Sequence, residues 1–349
     1  MLRRRRRIGS LAAVERLVGM QAQVPRDPYV ALWSRLDRFG PEGLAKPIAE
    51  RRALRMPLFR ATLHLVTARD ALVLRPVLQQ ALERLLYRGS PFGRLLAGVD
   101  VEELVATAAS FMEERPRTRA ELAPLLAARW TEHDGPSLAY AVTYLMPLVQ
   151  VTPRGVWGRS GRSAFTTLEH WLGRPIHQGG DVAEVIVRYL AAFGPATVAD
   201  AQTWSGLVGL GPAIERLRPR LRTFRDERGR ELFDVPGAPL PDPDGPSPPR
   251  FLPEYDNVLL SHADRSRIVS DDVRPRMFRV GWGHVLVDGF VAGRWKLERE
   301  KTRATLRIET DGPLRKANQR TVSDEGERFV AFLAEDAADR DVRILRRDA

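Results

Sequence analysis

The chain of 349 residues contains no cysteine, few lysines and no long apolar run. Without cysteine it can form no disulfide, no thiolate metal site and no cysteine nucleophile. No run approaches the ~18–20 apolar residues that a membrane-spanning helix requires, and the N-terminus lacks the apolar segment of a signal peptide. We therefore predict a cytoplasmic protein that does not cross a membrane.

Motifs for metals, nucleotides and hydrolytic serines are also missing. No G-x-G-x-x-G or G-K-[ST] loop predicts phosphate binding, and no G-x-S-x-G motif predicts a nucleophile elbow. Six scattered histidines show neither the H-E-x-x-H spacing nor a close histidine–aspartate cluster, so we predict no metal and no cofactor. The histidines are His64, His133, His170, His177, His262 and His284.

Acidic residues are too few to balance the basic ones. The chain has 55 lysines and arginines against 44 acidic residues, a formal net charge of +11, and its isoelectric point is about 10.6. This excess predicts a polyanionic partner, and arginine, which supplies almost all of it, makes bidentate contacts to phosphate. Five consecutive arginines at positions 3–7 are either an arm that binds DNA phosphates or a disordered start.

The first 235 residues repeat one predicted order three times, three helices followed by two short strands. Thr118 and Thr197 occupy equivalent places in the second and third copies, as N-caps of the second helix. Three helices closed by a hairpin are the winged-helix plan. The predicted helices lie around 11–18 and at 28–39, 41–51, 68–87, 101–115, 119–128, 137–148, 182–193 and 210–217. The predicted strands are 53–59, 61–67, 149–152, 164–167, 221–225 and 231–235.

After a segment rich in proline, glycine and aspartate at 236–249, β-formers dominate the sequence. We predict one helix that ends at Leu333, with its cap region at 321–326, and strands at 257–260, 277–279, 284–287, 290–295, 304–309 and 342–345. The predicted fold is therefore α+β. Its domains are three tandem winged helices at 1–100, 101–172 and 173–248, then a β-rich C-terminal domain at 249–349.

The most informative stretch is Gln21-Ala22-Gln23, which follows a helix with Ser10 as its expected cap. Gly19 weakens the end of that helix, and Pro25 favours an extended conformation before it. In an extended chain, residues two apart point the same way, which places the two carboxamides on one side, about 7 Å apart. Two amides can hold one water, because each is both donor and acceptor. The alternative is two ordinary surface residues beside a helix end.

Five stretches together resemble the AlkZ/YcaQ family of bacterial winged-helix DNA glycosylases. They are Gln21-Ala22-Gln23 with 28–36 and 60–66, the run Leu252-Pro253-Glu254-Tyr255-Asp256-Asn257 continuing to Arg265, and 288–295. The glutamine–aliphatic–glutamine motif is the catalytic centre of that family. The resemblance implies a monofunctional glycosylase for N7-alkylguanine, with Gln21 and Gln23 as its catalytic residues and interstrand crosslinks as further candidate substrates.

The residue types agree with that chemistry. Glutamine cannot act as a general acid or base near pH 7, but it can orient a water, and an N7-alkylated guanine is a cation that leaves without protonation. Ordinary glycoside hydrolysis, in contrast, needs two carboxylates.

Several other residues are candidates for DNA contact. Arg60 would bind phosphate, and His64 would either contact the lesion or backbone or be a core histidine bonded to its neighbours. A basic, glycine-rich turn forms the expected wing, and a second basic hairpin tip is expected in the C-terminal domain. The arginines of the wing are Arg154, Arg159 and Arg162, and the hairpin residues are Arg299, Lys301 and Arg303.

Two further groups have a structural alternative. Tyr29 and Trp33 either stack on bases or belong to the core, and Asp256, Asn257, Asp264 and Arg265 are expected to form a structural polar network. The rival to the enzyme is a winged-helix DNA-binding or regulatory protein without catalysis, which basic charge and wings fit equally well. For either function the expected partner is double-stranded DNA on the nucleoid, with alkylated or crosslinked purines for the enzyme, and the expected state is a monomer.

Overall fold

A computed structural model describes residues 1–176 and 179–346, with only the backbone of Arg276, so His177 and the last three residues lie outside it. Its α-helices are α1 (Ser10–Arg16), α2 (Asp27–Trp33), α3 (Glu42–Ala49), α4 (Ala68–Arg84), α5 (Val101–Glu114), α6 (Arg119–Ala127), α7 (Gly135–Leu145), α8 (Leu168–Leu172), α9 (Val182–Phe193), α10 (Val198–Ser205), α11 (Gly211–Leu217), α12 (Asn257–Leu260) and α13 (Lys316–Leu333). Its strands are β1 (Met20–Gln21), β2 (Ala53–Pro57), β3 (Leu63–Thr67), β4 (Leu148–Gln150), β5 (Phe165–Thr167), β6 (Arg222–Arg225), β7 (Glu231–Asp234), β8 (Arg250–Leu252), β9 (Gly283–Val287), β10 (Phe290–Glu300), β11 (Arg303–Thr310) and β12 (Asp339–Arg346).

The chain forms two compact units. The larger unit contains residues 11–26 and 41–238, and the smaller unit contains residues 1–10, 27–40 and everything from 239 onward. The predicted order of three helices and two strands occurs three times along the chain, as predicted. In the first occurrence, however, helix α2 belongs to the smaller unit, whereas α3, β2 and β3 belong to the larger one. The four predicted domain boundaries stay predictions.

In the larger unit, a five-stranded sheet has the order β1-β3-β2-β4-β5, and β6 and β7 form a separate hairpin. Strands β2 and β3 are antiparallel and almost wholly buried, because both consist mainly of apolar residues. Leu54 and Val66 face each other and share a core with Tyr189 of α9 and Trp204 of α10. The sheet of the first copy is thus covered by the helices of the third.

The two predicted N-caps are confirmed. Thr118 accepts a hydrogen bond from the Glu121 amide at 3.2 Å, and the Glu121 carboxylate accepts one from the Thr118 amide at 2.8 Å. Thr197 makes the same reciprocal pair with Asp200, at 3.1 and 2.8 Å. Such a capping box satisfies amides that the first helical turn leaves without partners, which explains why α6 and α10 begin directly after these threonines.

In the smaller unit, a second sheet has the order β12-β11-β10-β9-β8, with β11 and β12 parallel. The predicted turn at Asp288-Gly289 joins β9 to β10, with φ values of +51° and +87° that suit a tight hairpin. The sheet packs on α13, where Phe329 lies 4.7 to 4.9 Å from the rings of Trp33, Phe251 and Trp295. Tyr29 is 1% exposed and Trp33 is partly buried among these rings, as the structural alternative predicted.

Three details of the predicted C-terminal domain are wrong. Residues 257–260 form helix α12 and not a strand, because the Asp256 carboxylate caps the Val258 amide at 3.0 Å. Residues 277–279 form no strand, and β8 supplies the edge strand instead. Helix α13 begins at Lys316, five residues before the predicted cap at Thr321.

The N-terminal arginine run packs on the smaller unit. The Arg5 guanidinium lies 2.6 Å from the Glu325 carboxylate and 4.4 Å from the centre of the Trp33 ring, and Arg7 lies 2.9 Å from Asp37. The interpretation of this run as a disordered start is therefore wrong. Of the helices in the described part of the chain, none is long and apolar enough to span a bilayer.

Candidate active site

The two glutamines lie on and just beyond a short edge strand of the larger unit. Val18 and Gly19 have φ values of +52° and +86°, which end the helical path. A Cβ at Gly19 would lie 2.7 Å from Val66, so only glycine allows this close approach. Met20 and Gln21 are extended, as predicted, and Gln21 pairs with His64 of β3. That both carboxamides lie on one side stays a prediction.

Both carboxamide oxygens accept a hydrogen bond from a neighbouring donor. The Leu63 amide donates to Gln23 Oε1 at 3.1 Å, and Arg60 Nη2 donates to Gln21 Oε1 at 3.4 Å. The Ala22 amide between them donates to the Leu63 carbonyl at 2.7 Å. Leu63 therefore holds both the backbone and a side chain of the tripeptide, and these donors determine which way each amide is turned.

The two glutamines differ in exposure. Gln21 is 8% exposed, whereas Gln23 lies at the surface. An amide oxygen has two lone pairs, so Gln23 Oε1 can accept from Leu63 and still accept from a water. Because neither amide can take up a proton near pH 7, the pair can orient a water but cannot deprotonate it.

Arg60 lies in the tight connection between β2 and β3. Arg60 and Ala61 adopt the left-handed conformation, with φ values of +54° and +57°, which is costly for residues other than glycine. The Arg60 guanidinium also donates to the Trp204 carbonyl, and Trp204 packs on Phe59 at 4.4 Å between ring centres. These contacts hold a guanidinium beside Gln21, at the position where the sequence predicted a phosphate-binding arginine.

His64 is a buried, neutral histidine. It is 3% exposed, and burial together with the charge of Arg60 lowers the pKa of His64 to about 3. Its Nδ1 lies 2.9 Å from the Thr62 carbonyl, which can only accept, so Nδ1 carries the proton and Nε2 is an acceptor. Gln21 and His64 face each other across the antiparallel pair, so their side chains share one face of the sheet. A neutral ring cannot attract phosphate by charge, and the predicted DNA contact of His64 stays a prediction.

Arg55 of β2 was not singled out from the sequence. It is 2% exposed, and its guanidinium donates to the Ala22 carbonyl, between the two glutamines, and to the side-chain oxygen of Gln150. The available signal was a single arginine within the otherwise apolar strand Ala53–Pro57. The pairing that brings it to Ala22 is non-local, so no sequence pattern identifies its target.

The predicted wing is an irregular loop, residues 151–164, between β4 and β5. Arg154 donates to the Gly161 carbonyl at 3.0 Å and Arg162 pairs with Glu121, whereas Arg159 lies exposed. The Arg26 guanidinium, three residues after Gln23, lies 5.3 Å from the Trp157 ring. The loop is therefore joined to the segment that carries the glutamines.

The second predicted basic element, between β10 and β11, lies in the smaller unit. Arg299 pairs with Asp336, and Arg303 lies 3.2 Å from Asp339 and 3.4 Å from Asp341. Lys301 occupies the turn with a φ of +49° and is exposed. Two of these three predicted DNA-binding residues therefore already have carboxylate partners.

Comparisons with known proteins concern the family and the fold. A family model described as "DNA glycosylase AlkZ-like" matches residues 14–332. The structure of the DNA glycosylase AlkZ from Streptomyces sahachiroi has the same fold, with a TM-score of 0.77 at 21% identity over 99% of this chain and 95% of that one. No curated protein matches the sequence.

Proposed function

This chain belongs to the AlkZ-like DNA glycosylase family, and from that premise we propose that it is a monofunctional glycosylase for N7-alkylguanine in DNA. In the proposed mechanism, Gln21 and Gln23 hold the water that attacks the sugar. The observation that carries the proposal is the pair of amide oxygens, each oriented by a fixed donor, at the edge of the β1–β3 ladder.

The proposed substrate follows from the neutrality of these side chains. Alkylation at N7 gives guanine a positive charge. When the bond between C1′ and N9 breaks, its electron pair passes to the base, which leaves uncharged and needs no general acid. The sugar becomes an oxocarbenium ion, water adds to C1′, and one proton is released to solvent. An ordinary nucleoside would need a protonating group, as glycosidases provide with a carboxylic acid.

Positioning is then the main task of the protein. Holding a nucleophile close to the reacting carbon can supply several kcal/mol of the barrier, about 7–11 kcal/mol in the best intramolecular cases. Gln23 lies at the surface, where it can bind a water, and Gln21 is the more buried partner. We assign to Gln21 and Gln23 the task of accepting the two hydrogen bonds of this water.

The proposal of a monofunctional enzyme rests on the scarcity of amines. Glycosylases that also cut the strand require an amine that forms a Schiff base with the sugar. Of the four lysines, Lys46 alone falls within the larger unit, and its ammonium lies 3.8 Å from Glu50 on an exposed face of α3. We expect an abasic site as the product.

We further propose that the three groups of helices and strands are winged helices and that the loop 151–164 contacts DNA.

N7 faces the major groove, so a lesion there is accessible without rotation of the nucleotide. A crosslinked base cannot be flipped out of the duplex, and an enzyme that approaches from the groove could still release it. Crosslinked guanine is thus a second candidate substrate. We propose that the protein acts on it as a monomer, on the nucleoid.

The test uses a duplex with one N7-methylguanine, treated with alkali after incubation to break abasic sites. We expect strand breaks with the wild-type protein and a loss of about 100-fold or more in rate with Gln21→Ala/Gln23→Ala, because the water loses both acceptors. Gln319→Ala, at an exposed position of α13, is the matched control and should retain the full rate.

The outcomes separate the glycosylase from its rival, a winged-helix DNA-binding or regulatory protein without catalysis. Full activity in the double variant would remove the glutamines from the mechanism. Absence of activity in every protein, with DNA binding intact, would require the same assay on a duplex with an N7–N7 crosslink. Failure on that duplex as well would contradict the proposed substrate class.

A further inference from the structure

We propose that Arg55 is a positioning residue for the glycosylase reaction, because its guanidinium holds the Ala22 carbonyl and so determines how Gln21 and Gln23 face the water. This inference rests on the proposed function, since it concerns the same two glutamines. Arg55 is not a catalytic residue in this proposal, because it acts through the tripeptide and touches no reacting atom.

The contacts of Arg55 are concentrated on one peptide group. Its Nε and Nη2 both donate to the Ala22 carbonyl, at 3.2 and 2.5 Å, and Nη1 donates to Gln150 Oε1. Two donors of one planar guanidinium fix the direction of that carbonyl, not only its distance. The Ala22 carbonyl belongs to the peptide that leads into Gln23, so its direction determines where the Gln23 side chain begins.

The tripeptide is thereby held from two directions. Leu63 of β3 binds the Ala22 amide and the Gln23 side-chain oxygen along one edge. Arg55 lies on β2, which is separated from β1 by β3, and neighbouring strands are about 4.8 Å apart. The guanidinium therefore reaches across an entire strand to Ala22. A long side chain with a forked donor set is required, which neither lysine nor methionine provides.

A second set of contacts joins Arg55 to the wing loop. Gln150 lies opposite Arg55 in the pairing of β2 with β4, and its Nε2 donates to Ser163 of the loop at 2.6 Å. Gly155 of the same loop has a φ of +97°, and a Cβ there would lie 2.8 Å from Arg55 Cδ. The loop thus lies directly over the stem of Arg55, so that a loop expected to contact DNA supports the residue that holds the glutamines.

A purely structural role explains this arginine less well. Burying a guanidinium carries a desolvation cost. Replacing it removes that cost but leaves the Ala22 carbonyl and Gln150 Oε1 without this donor, which lowers stability. Methionine at position 55 would fill the same space between the strands. What methionine cannot do is direct the Ala22 carbonyl, so a positioning role predicts an effect on the rate beyond the loss of stability.

The control lies elsewhere in the larger unit. Arg75 of α4 is also 2% exposed and also donates to a glutamine, Gln79, and to a main-chain oxygen, that of Tyr144 at 2.9 Å. Arg55→Met and Arg75→Met therefore remove the same kind of group from the same kind of environment. They differ in whether the bonded carbonyl belongs to the glutamine tripeptide.

We would measure the single-turnover rate on the N7-methylguanine duplex, the Kd for undamaged duplex and the urea midpoint of each variant. For Arg55→Met we expect a rate about 10- to 100-fold lower, as a misplacement of about 1 Å can cause, with the Kd and the midpoint close to those of Arg75→Met. Arg75→Met should keep the wild-type rate. Equal rates in the two variants, or a loss of DNA affinity that accounts for the lower rate, would overturn the proposal.

Two further variants test the link to the loop. Gln150→Leu should lower the rate by a smaller factor, and adding it to Arg55→Met should lower the rate no further, because the two residues act through one set of bonds. Arg55→Lys keeps the charge without the fork and should resemble Arg55→Met. These variants also keep the proposal testable if Arg55→Met fails to fold.

A measurement that does not depend on activity separates this inference from the proposed function. Hydrogen exchange at the Ala22 amide, which bonds Leu63, should be about tenfold faster or more in Arg55→Met and unchanged in Arg75→Met. Unchanged exchange in both variants would contradict the positioning role whatever the glutamines do. Full activity of Gln21→Ala/Gln23→Ala, in contrast, would defeat the proposed function while the exchange result still decided the role of Arg55.

Discussion

Two sets of arginines, one in each unit, bind different kinds of partner. In the smaller unit, Arg35 donates to both oxygens of Asp256, at 2.8 and 2.6 Å, and Arg294 donates to Glu309 at 2.7 Å. In the larger unit, the bonds described for Arg55 and Arg60 lead to main-chain carbonyls and to the side-chain oxygens of glutamines.

The difference teaches what each arginine does. A carboxylate neutralises the guanidinium, so the pair joins two segments of chain and each member depends on the other to remain buried. A neutral amide or carbonyl is instead oriented by the guanidinium and keeps its own chemistry. Arg35 and Arg294 therefore stabilise the fold, as does Arg188 of the larger unit, which donates to both oxygens of the buried Asp70. Arg55 and Arg60, beside the glutamine tripeptide, determine geometry.

The largest expected effect breaks a pair in the smaller unit. Arg35→Ala leaves Asp256 buried without its guanidinium, and we expect the free energy of unfolding to fall by about 3–5 kcal/mol. Urea unfolding measures this change. The control is Arg35→Met/Asp256→Asn, which removes both charges but keeps a side chain able to cap the Val258 amide, and it should restore most of the loss. A loss below about 1 kcal/mol in Arg35→Ala would mean that the pair does not stabilise the fold.

The next effect concerns one buried histidine in each unit. Burial lowers the pKa of His64 to about 3 and that of His284 to about 4, whereas both have a pKa near 6.5 in the unfolded chain. Below pH 6.5 the unfolded chain therefore binds protons that the folded protein does not. Each histidine should lower the free energy of unfolding by about 1.4 kcal/mol per pH unit as the pH falls towards 4.5, and neither should contribute above pH 7.

Urea unfolding between pH 7.5 and 4.5 measures this slope. His64→Asn keeps a donor for the Thr62 carbonyl but does not titrate, so its slope should be smaller by about 1.4 kcal/mol per pH unit, whatever its stability at pH 7. His284→Gln, which keeps a donor for the Glu254 carbonyl, should show the same reduction. An unchanged slope in both variants would show that these rings accept protons in the folded state.

The sequence predicted what local patterns determine. The caps at Thr118 and Thr197 and the extended conformation after Gly19 depend on residues close in the chain, and each was confirmed. Long-range pairing determined the rest. No pattern in Ala53–Pro57 identifies Ala22 as the partner of Arg55, and no pattern in α2 places that helix in the smaller unit. The short segment Asn257–Leu260, with three apolar residues, fits a helix and a strand equally well, and the cap at Asp256 decided between them.

A smaller effect tests whether an arginine partner matters at the surface. The capping carboxylate Glu121 also contacts Arg115 and Arg162, which are exposed, whereas Asp200 in the other capping box is buried. Because exposed ion pairs contribute little, we expect Thr118→Ala and Thr197→Ala to cost the same, about 1 kcal/mol each. Urea unfolding measures both costs. The controls are Thr118→Ser and Thr197→Ser, which keep the hydroxyl. A cost at Thr118 that is larger by about 1 kcal/mol or more would show that the arginine partners of Glu121 stabilise this cap even though they are exposed.

The smallest effect concerns the two basic loops and DNA. Arg159, in the loop 151–164, and Lys301, between β10 and β11, are exposed, whereas Arg303 lies close to Asp339 and Asp341. A cation that contacts phosphate releases about one counterion, so Arg159→Ala and Lys301→Ala should each reduce the slope of log Kd against log salt by about 1. Arg303→Ala should change that slope less, because its guanidinium must leave two carboxylates to reach a phosphate. Binding of undamaged duplex between 50 and 200 mM salt measures all three slopes. An equal reduction in Arg303→Ala would mean that an arginine paired with surface carboxylates still contacts DNA phosphate.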